Sequence, residues 1–192
     1  MTMLAIGLIV FLGAHSVRIV AEDWRRARIA SMGEGIWKGL YSLVSVAGFV
    51  LIVWGYAQSR AAPVDLWQPP LWTKHVAALL TIPAFVLVAA AYVPGTRIKA
   101  AVKHPMVLGV KLWAFSHLLA NGRLADVVLF GAFLAWAILD FRAARRRNRA
   151  SKSVAQPGSL GRDALALVIG LGAWAAFAFY LHAAWIGVRP FG

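Results

Sequence analysis

Residues 73–93, TKHVAALLTIPAFVLVAAAYV, form an apolar run in which Lys74 is the only charged side chain. A helix needs roughly 20 such residues to cross the hydrocarbon core of a bilayer. This run therefore predicts a membrane-spanning helix. Pro83 lies inside it and should bend the helix, which lipid tolerates when neighbouring groups satisfy the freed carbonyl.

Five further apolar runs follow the same pattern, and the sequence predicts an all-α, polytopic transmembrane helix bundle with about six spans. The fourth run is short. Pro105 is suited to the first turn of its helix, and Asn121-Gly122 marks its end. The predicted spans cover residues 2–21, 37–57, 73–93, 105–120, 124–141 and 163–188.

The composition also indicates that lipid surrounds the protein. The chain has 192 residues, of which 61% are hydrophobic and 14% charged, whereas soluble domains average roughly 45–50% apolar and about 25% charged residues. We therefore expect residues 1–192 to form a single integral membrane domain. Because cysteine is absent, disulfides, thiolate nucleophiles and cysteine-based metal sites are excluded.

The net charge of +13 is concentrated in alternate connectors between the runs. The first, third and fifth connectors hold most of the lysine and arginine residues, and the opposite connectors hold only Arg60, Lys74, Arg123 and Arg189. The positive-inside rule then predicts that both termini lie outside the cytoplasm.

Residues 142–162 form the most basic connector, which is polar and interrupted by Pro157-Gly158. This composition predicts a mobile cytoplasmic loop. Basic residues beside a span are typical of contact with anionic lipid, so we expect membrane lipid as a partner and no nucleic acid.

Five histidines are the main candidates for chemistry, because ionisable groups are costly within a membrane. His75 and His104 each follow a lysine near the end of a span, which favours solvated rings. His15, His117 and His182 have apolar neighbours on both sides and so need a buried partner. For these three, a hydrogen-bonded structural role and a ligand role remain equally open.

Helical spacing separates two of these histidines. His104 and His117 are 13 residues apart, which places them on different faces and ~20 Å apart along one helix, so they cannot share one metal ion. Lys111 shares the face of His104, whereas Trp113 and Asn121 flank His117.

Cations within the predicted spans could pair with an acidic group of a ligand. Arg18 follows His15 by about one turn, and Lys111 lies mid-span. Snorkelling to the interface is the commoner behaviour of such residues. Histidine without cysteine or clustered carboxylates favours haem or proton handling over a hard-metal site.

Four motifs carry a resemblance to a known family: GAHS at residues 13–16, WKGLYS at 37–42, KHPM at 103–106 and WAFSHLLANG at 113–122. Over nearly its whole length the chain resembles the NnrU membrane proteins of bacteria, which are related to the 15-cis-zeta-carotene isomerases of plants and cyanobacteria. NnrU proteins are named for an association with the expression of nitrite and nitric oxide reductases. The isomerases bind haem b and use it for redox-dependent isomerisation of a lipid-soluble polyene.

The resemblance implies a haem b-binding protein of the bacterial inner membrane with periplasmic termini. It would perform redox or isomerase chemistry on a lipid-soluble small molecule or serve nitrogen-oxide respiration (denitrification), and whether it is an enzyme stays open. His15 and His117 match the isomerase histidines proposed as axial iron ligands, and His104 matches another motif histidine. Ala114 replaces an isomerase cysteine, which removes any exchange of a thiolate ligand.

Depth in the membrane gives a different partner for His117. His15 lies ~9 Å and His117 ~20 Å from the cytoplasmic side at ~1.5 Å per residue, and His182 and His75 match the height of His117 better. Both pairings remain open. The full set of candidate cofactor-binding residues is His117, His15, His182, His75, Arg18, Lys111 and Trp113.

Two other functions are compatible with the sequence. KHPMVLG at residues 103–109 resembles the Arg-His-Pro-x-Tyr-x-Gly segment of S-adenosylmethionine-dependent membrane methyltransferases. Val107 replaces the tyrosine, however, and a downstream Glu-Glu pair is missing. A non-enzymatic membrane sensor or assembly factor is the other alternative.

The charge asymmetry makes a topology prediction. A reporter fused after Arg149 should lie in the cytoplasm and one fused at the C-terminus in the periplasm, because one span separates them. Paired phosphatase and fluorescent-protein fusions measure this. If both fusions report the same side, the number of spans is wrong.

Overall fold

A computed structural model describes residues 1–151 and 157–191. The structure is 84% helical. The helices are α1 (Thr2–Val20), α2 (Glu22–Met32), α3 (Glu34–Ala61), α4 (Leu71–Tyr92), α5 (Arg97–Val102), α6 (Pro105–Ala120), α7 (Leu124–Ala150) and α8 (Leu160–Ala176), the last continuing as a π-helical segment, Phe177–Ile186.

The predicted all-α transmembrane fold is confirmed. Five helices are long and apolar enough to cross a membrane: α1, α3, α4, α7, and α8 together with its π-helical continuation. The predicted fourth span corresponds to α6, an apolar helix that is shorter than these five. It begins at Pro105 and ends before Asn121, as predicted.

The first connector contains a helix that was not predicted. Glu22 and Asp23 occupy the first turn of α2, where carboxylates favour the positive end of the helix dipole. Glu22 accepts hydrogen bonds from Arg25 at 3.4 Å and Arg26 at 3.2 Å. These pairs, three and four residues apart, stabilise a polar helix that lacks an apolar face.

The prediction of an irregular loop over residues 142–162 is wrong for both of its ends. Residues 142–150 continue α7, and α8 begins at Leu160. Alanine and arginine are strong helix formers, so the basic sequence extends the helix beyond its apolar part. Residues 152–156 of the predicted mobile loop lie outside the described residues.

Contacts divide the chain into two compact units. Unit 1 comprises Met1–Gln68 and Gly122–Asp140, and unit 2 comprises Pro69–Asn121 and Phe141–Gly192. The first part of α7 belongs to unit 1 and its basic end to unit 2. A single membrane domain stays a prediction.

In unit 1, α1 and α3 pack against each other through glycines. A Cβ atom added to Gly7 would lie 2.6 Å from the backbone nitrogen of Ile52, and one added to Gly48 would lie 2.7 Å from that of Phe11. Gly55 faces the backbone of Leu4 just as closely. Small residues let helix backbones approach in lipid, where dispersion contacts replace the hydrophobic effect between helices.

In unit 2, α4 packs against both α6 and α8. Gly109 of α6 lies against the carbonyl of Ala84, and Gly170 of α8 against the backbone of Val86. Trp174 of α8 also donates its indole N–H to Thr81 Oγ at 3.0 Å. A hydrogen bond between helices satisfies two polar groups that would be costly in lipid.

We predict that Gly55→Ala lowers the free energy of unfolding by ~1–3 kcal/mol, because its methyl group overpacks against Leu4. Thermal unfolding of the detergent-solubilised protein measures the change. Gly39→Ala is the matched control, since Gly39 is also in α3 and an added Cβ meets no atom within 4 Å. Equal melting temperatures for the two variants would contradict the packing argument.

Candidate functional site

His15 lies in unit 1 on α1, half-buried, with its ring oriented by the helix backbone. Its Nδ1 is 2.7 Å from the carbonyl oxygen of Phe11, four residues earlier. A carbonyl can only accept, so Nδ1 carries the proton and donates it. In the neutral ring the lone pair is then on Nε2, the nitrogen that can bind a metal ion.

Aromatic side chains surround His15. The Phe11 ring stacks on it with centroids 4.2 Å apart, Tyr41 lies at 5.2 Å, and Trp136 meets it edge-on at 6.0 Å. Among the described residues, the buried indole Nε1 of Trp136 has no hydrogen-bond acceptor. A buried N–H without an acceptor is costly, and a bound ligand with an acceptor atom beside His15 would remove that cost.

His117 lies in unit 2 near the end of α6 and shows the same hydrogen-bond pattern. Its Nδ1 is 2.8 Å from the carbonyl oxygen of Trp113, and the two rings are 5.3 Å apart. Asn121 donates its side-chain N–H to the carbonyl of His117 at 2.9 Å and so closes the helix. The lone pair of the neutral His117 ring is therefore also on Nε2.

The two histidines that match His117 in depth differ from each other. His182 lies in the π-helical segment of unit 2, and its Nδ1 is 2.7 Å from the carbonyl of Val188. That carbonyl follows Gly187, which ends the segment at a φ of 73°. His75 is exposed near the start of α4, and no hydrogen bond to another described residue orients its ring.

His104 has a different environment from the ligand candidates. Asn148 donates its side-chain N–H to His104 Nε2 at 2.9 Å, and the edge of the ring meets Phe141 at 6.1 Å. The acceptor nitrogen is thus used within the protein. The structure supports a structural or positioning role for this motif histidine.

The candidate cations lie in different units. Arg18, in unit 1, is 59% exposed and its Nε lies 3.9 Å from Glu22. Lys111, in unit 2, places its Nζ 4.9 Å from the centroid of the Phe141 ring. Lys111 therefore belongs to the His104 end of α6, in agreement with the predicted shared face.

Sequence reasoning missed a buried polar pair in unit 1. Asp126 is 3% exposed and accepts a hydrogen bond from Tyr56. Arg123 lies 3.4 Å from Asp65 beside them. Since Tyr56 and Asp126 are far apart in sequence and share no helix, no local spacing could have revealed the pair.

A protein-family model described as NnrU protein matches residues 3–190. The chain belongs to the NnrU family. Neither the curated proteins nor the solved structures contain a match to it. The resemblance read from the four motifs is thereby confirmed, and this NnrU chain is a membrane protein of that family.

The histidines of this NnrU chain do not form a multi-ligand metal centre within either unit. Residues 1–151 and 157–191 contain no group of three or more histidine, aspartate or glutamate side chains arranged to hold a metal ion. His15 and His117 both present Nε2 for a bond to a metal ion.

We predict that His15 and His117 are Nδ1–H tautomers in the ligand-free protein, because each has a main-chain carbonyl as its Nδ1 partner. Solid-state NMR of protein labelled with 15N-histidine distinguishes the two tautomers. Single His→Asn variants assign the signals, with His75→Asn as the control for an exposed ring. Signals from an Nε2–H tautomer at either position would contradict the proposed orientation.

Proposed function

We propose that this NnrU chain is a haem b-binding membrane protein, with the Nε2 atom of His117 in unit 2 and the Nε2 atom of His15 in unit 1 as the candidate axial ligands. The main support for this proposal is that both rings donate Nδ1–H to a carbonyl four residues earlier. Metal-ligating histidines characteristically donate their other N–H in this way, which fixes the ring and makes the ligand nitrogen more basic.

The donor set available in the chain fits haem better than a protein-held metal ion. Zinc sites take three or four protein ligands, commonly with cysteine, and the sequence has no cysteine. Haem iron already has four porphyrin nitrogens and needs only one or two axial side chains. Isolated imidazoles such as His15 and His117 suffice for it.

The surroundings of the two histidines also suit a porphyrin. Phe11, Tyr41 and Trp136 pack around His15, and Trp113 lies against His117. Such rings give a flat apolar ligand large contact areas. The N–H of Trp136, which lacks a partner among the described residues, would stabilise an acceptor atom at the same place.

Orientation by hydrogen bonding bears on which histidine pairs with His117. His182 has a carbonyl partner like that of His15, so both keep a lone pair on Nε2. The family resemblance favours His15. His75 is the weakest candidate because its exposed ring is not oriented by a hydrogen bond to any described residue.

Acidic groups of the cofactor require cations, and Arg18 is the residue suited to a haem at His15. It lies one turn beyond His15 and its Nε is 3.9 Å from Glu22, so a propionate would have to compete with that carboxylate for the guanidinium. Charge-assisted bonds of this type are stronger than neutral ones. Lys111 lies in unit 2, where its Nζ is 4.9 Å from the centroid of the Phe141 ring.

A bound haem would supply a redox centre within reach of the lipid phase. The family resemblance connects that chemistry with redox or isomerisation of a lipid-soluble substrate, or with nitrogen-oxide respiration. Ala114 is completely buried one turn before His117. Because its methyl group cannot ligate iron, no thiolate ligand is available at this position. We place the protein in the bacterial inner membrane with both termini periplasmic.

The optical spectrum tests this function. Protein purified from haem-replete cells should show a Soret band of six-coordinate, low-spin haem, and His117→Ala should convert it to an altered five-coordinate spectrum, because one axial imidazole is lost. His15→Ala should have the same effect, and the double variant should empty the site.

His75→Ala is the control and should leave the spectrum unchanged. If His182→Ala alters it and His15→Ala does not, the second ligand lies on the last span. A wild-type protein without a Soret band would eliminate the haem proposal.

A further inference from the structure

The start of α6 and the end of α7 bring together five side chains in unit 2, the Phe141 cluster: His104, Lys111, Phe141, Arg145 and Asn148. His104 and Lys111 are seven residues apart on α6, and Phe141, Arg145 and Asn148 follow each other at four- and three-residue spacing on α7. Each set therefore lies on one face of its helix.

Phe141 is the centre of this cluster. Lys111 Nζ lies 4.9 Å and the Arg145 guanidinium carbon 5.8 Å from the centroid of its ring. The His104 ring meets Phe141 edge-on and is fixed by Asn148. Two cations from different helices are thus directed at one aromatic ring.

Among residues 1–151 and 157–191, no carboxylate forms an ion pair with Lys111 or Arg145. The ion pairs of the described residues involve other cations, namely Arg18, Arg25, Arg26, Lys38 and Arg123. The ring quadrupole compensates a cation only in part, and two positive charges beside one ring repel each other more strongly where water is scarce. A bound anion would be stabilised by both cations.

The depth of the cluster indicates where such an anion comes from. Lys111 is ~9 Å along α6 from Pro105. Because side chains on a helix tilt toward its N-terminus, its ammonium reaches back toward His104 and the basic end of α7. Other basic residues lie close in sequence to the start of α6 or within the end of α7: Lys103, Arg142, Arg146 and Arg149.

An exposed aromatic side chain follows Lys111 on the same face of α6. Phe115 lies one turn beyond Lys111 on α6 and is 45% exposed. A molecule with an anionic head and a hydrocarbon tail matches this order of charge and apolar surface. A small soluble anion would use only the cations.

We propose that the Phe141 cluster is a binding site for the phosphate group of an anionic phospholipid. Lys111 and Arg145 contact the phosphate, with arginine offering the planar fork that suits its oxygens. Phe141 holds the two cations together, and Asn148 positions His104 at the edge of the site. Basic pockets between spanning helices bind acidic headgroups on the cytoplasmic side, which is the side that the charge asymmetry predicts for this end of unit 2.

Native mass spectrometry of the full-length protein, presented with equal amounts of phosphatidylglycerol and phosphatidylcholine, tests the site. The wild type should retain phosphatidylglycerol preferentially. Lys111→Gln and Arg145→Gln should each weaken that binding about fivefold, as expected for loss of one cation at a membrane surface. Phe141→Leu should also weaken it, because the cations lose their common ring.

Arg146→Gln is the matched control, since it removes the same charge one residue away from Arg145 on a different face of α7. It should leave the preference unchanged, and Lys111→Arg should retain binding and verify that the position tolerates substitution. Equal losses for Arg145→Gln and Arg146→Gln would overturn the proposal in favour of a diffuse basic surface. Displacement of the lipid by millimolar inorganic phosphate would assign the cluster to a soluble anion instead.

The same titration with haem-free and haem-replete protein separates this site from the haem proposal. Equal phosphatidylglycerol affinities in both preparations are the expected result, because the Phe141 cluster does not include His15 or His117. Binding seen only in haem-free protein would show that a haem propionate occupies the cations, and would overturn the lipid site while supporting haem.

Discussion

A polar group within lipid must find its partner inside the chain, and this requirement governs the placement of the histidines. Helices satisfy their own backbone groups, which leaves side chains such as His15 and His117 to be satisfied separately. Both rings are satisfied by donating Nδ1–H to a carbonyl one helical turn earlier. That choice leaves the other ring nitrogen as an acceptor. The hydrogen bond that satisfies Nδ1 within lipid therefore also leaves Nε2 able to act as a ligand.

Packing between the helices follows from the absence of a hydrophobic driving force in lipid. The contacts of Gly7, Gly48 and Gly55 bring the backbones of α1 and α3 together, and this close approach places Phe11 beside the face of α3 that carries Tyr41. The aromatic surroundings of His15 thus depend on glycines one or more turns away. Dispersion between closely packed backbones and rings stabilises these contacts in lipid, where the hydrophobic effect that stabilises soluble proteins does not act between helices.

The positions of the spans could be predicted from sequence because each reflects a local property, an apolar run of sufficient length. The end of α7 could not, since residues 142–150 are polar and only their helix propensity marks them. This error concealed the site partners Arg145 and Asn148, which lie beyond the predicted end of the span. Tyr56 and Asp126 were missed for a different reason, because their pairing depends on tertiary structure alone.

The hydrogen-bond partners of the rings distinguish histidines that cannot be distinguished from their sequence positions. Spacing showed only that His104 and His117 occupy different faces of α6; the structure adds that one ring accepts from an amide and the other donates to a carbonyl. An imidazole whose Nε2 accepts from Asn148 would have to break that bond before it could ligate a metal. His117 could use its Nε2 as a ligand without losing a hydrogen bond, because its carbonyl partner faces the opposite ring nitrogen. Depth in the membrane groups His75 with His182, whereas the hydrogen bond at Nδ1 separates them, because only the His182 ring is oriented by a carbonyl of the described residues.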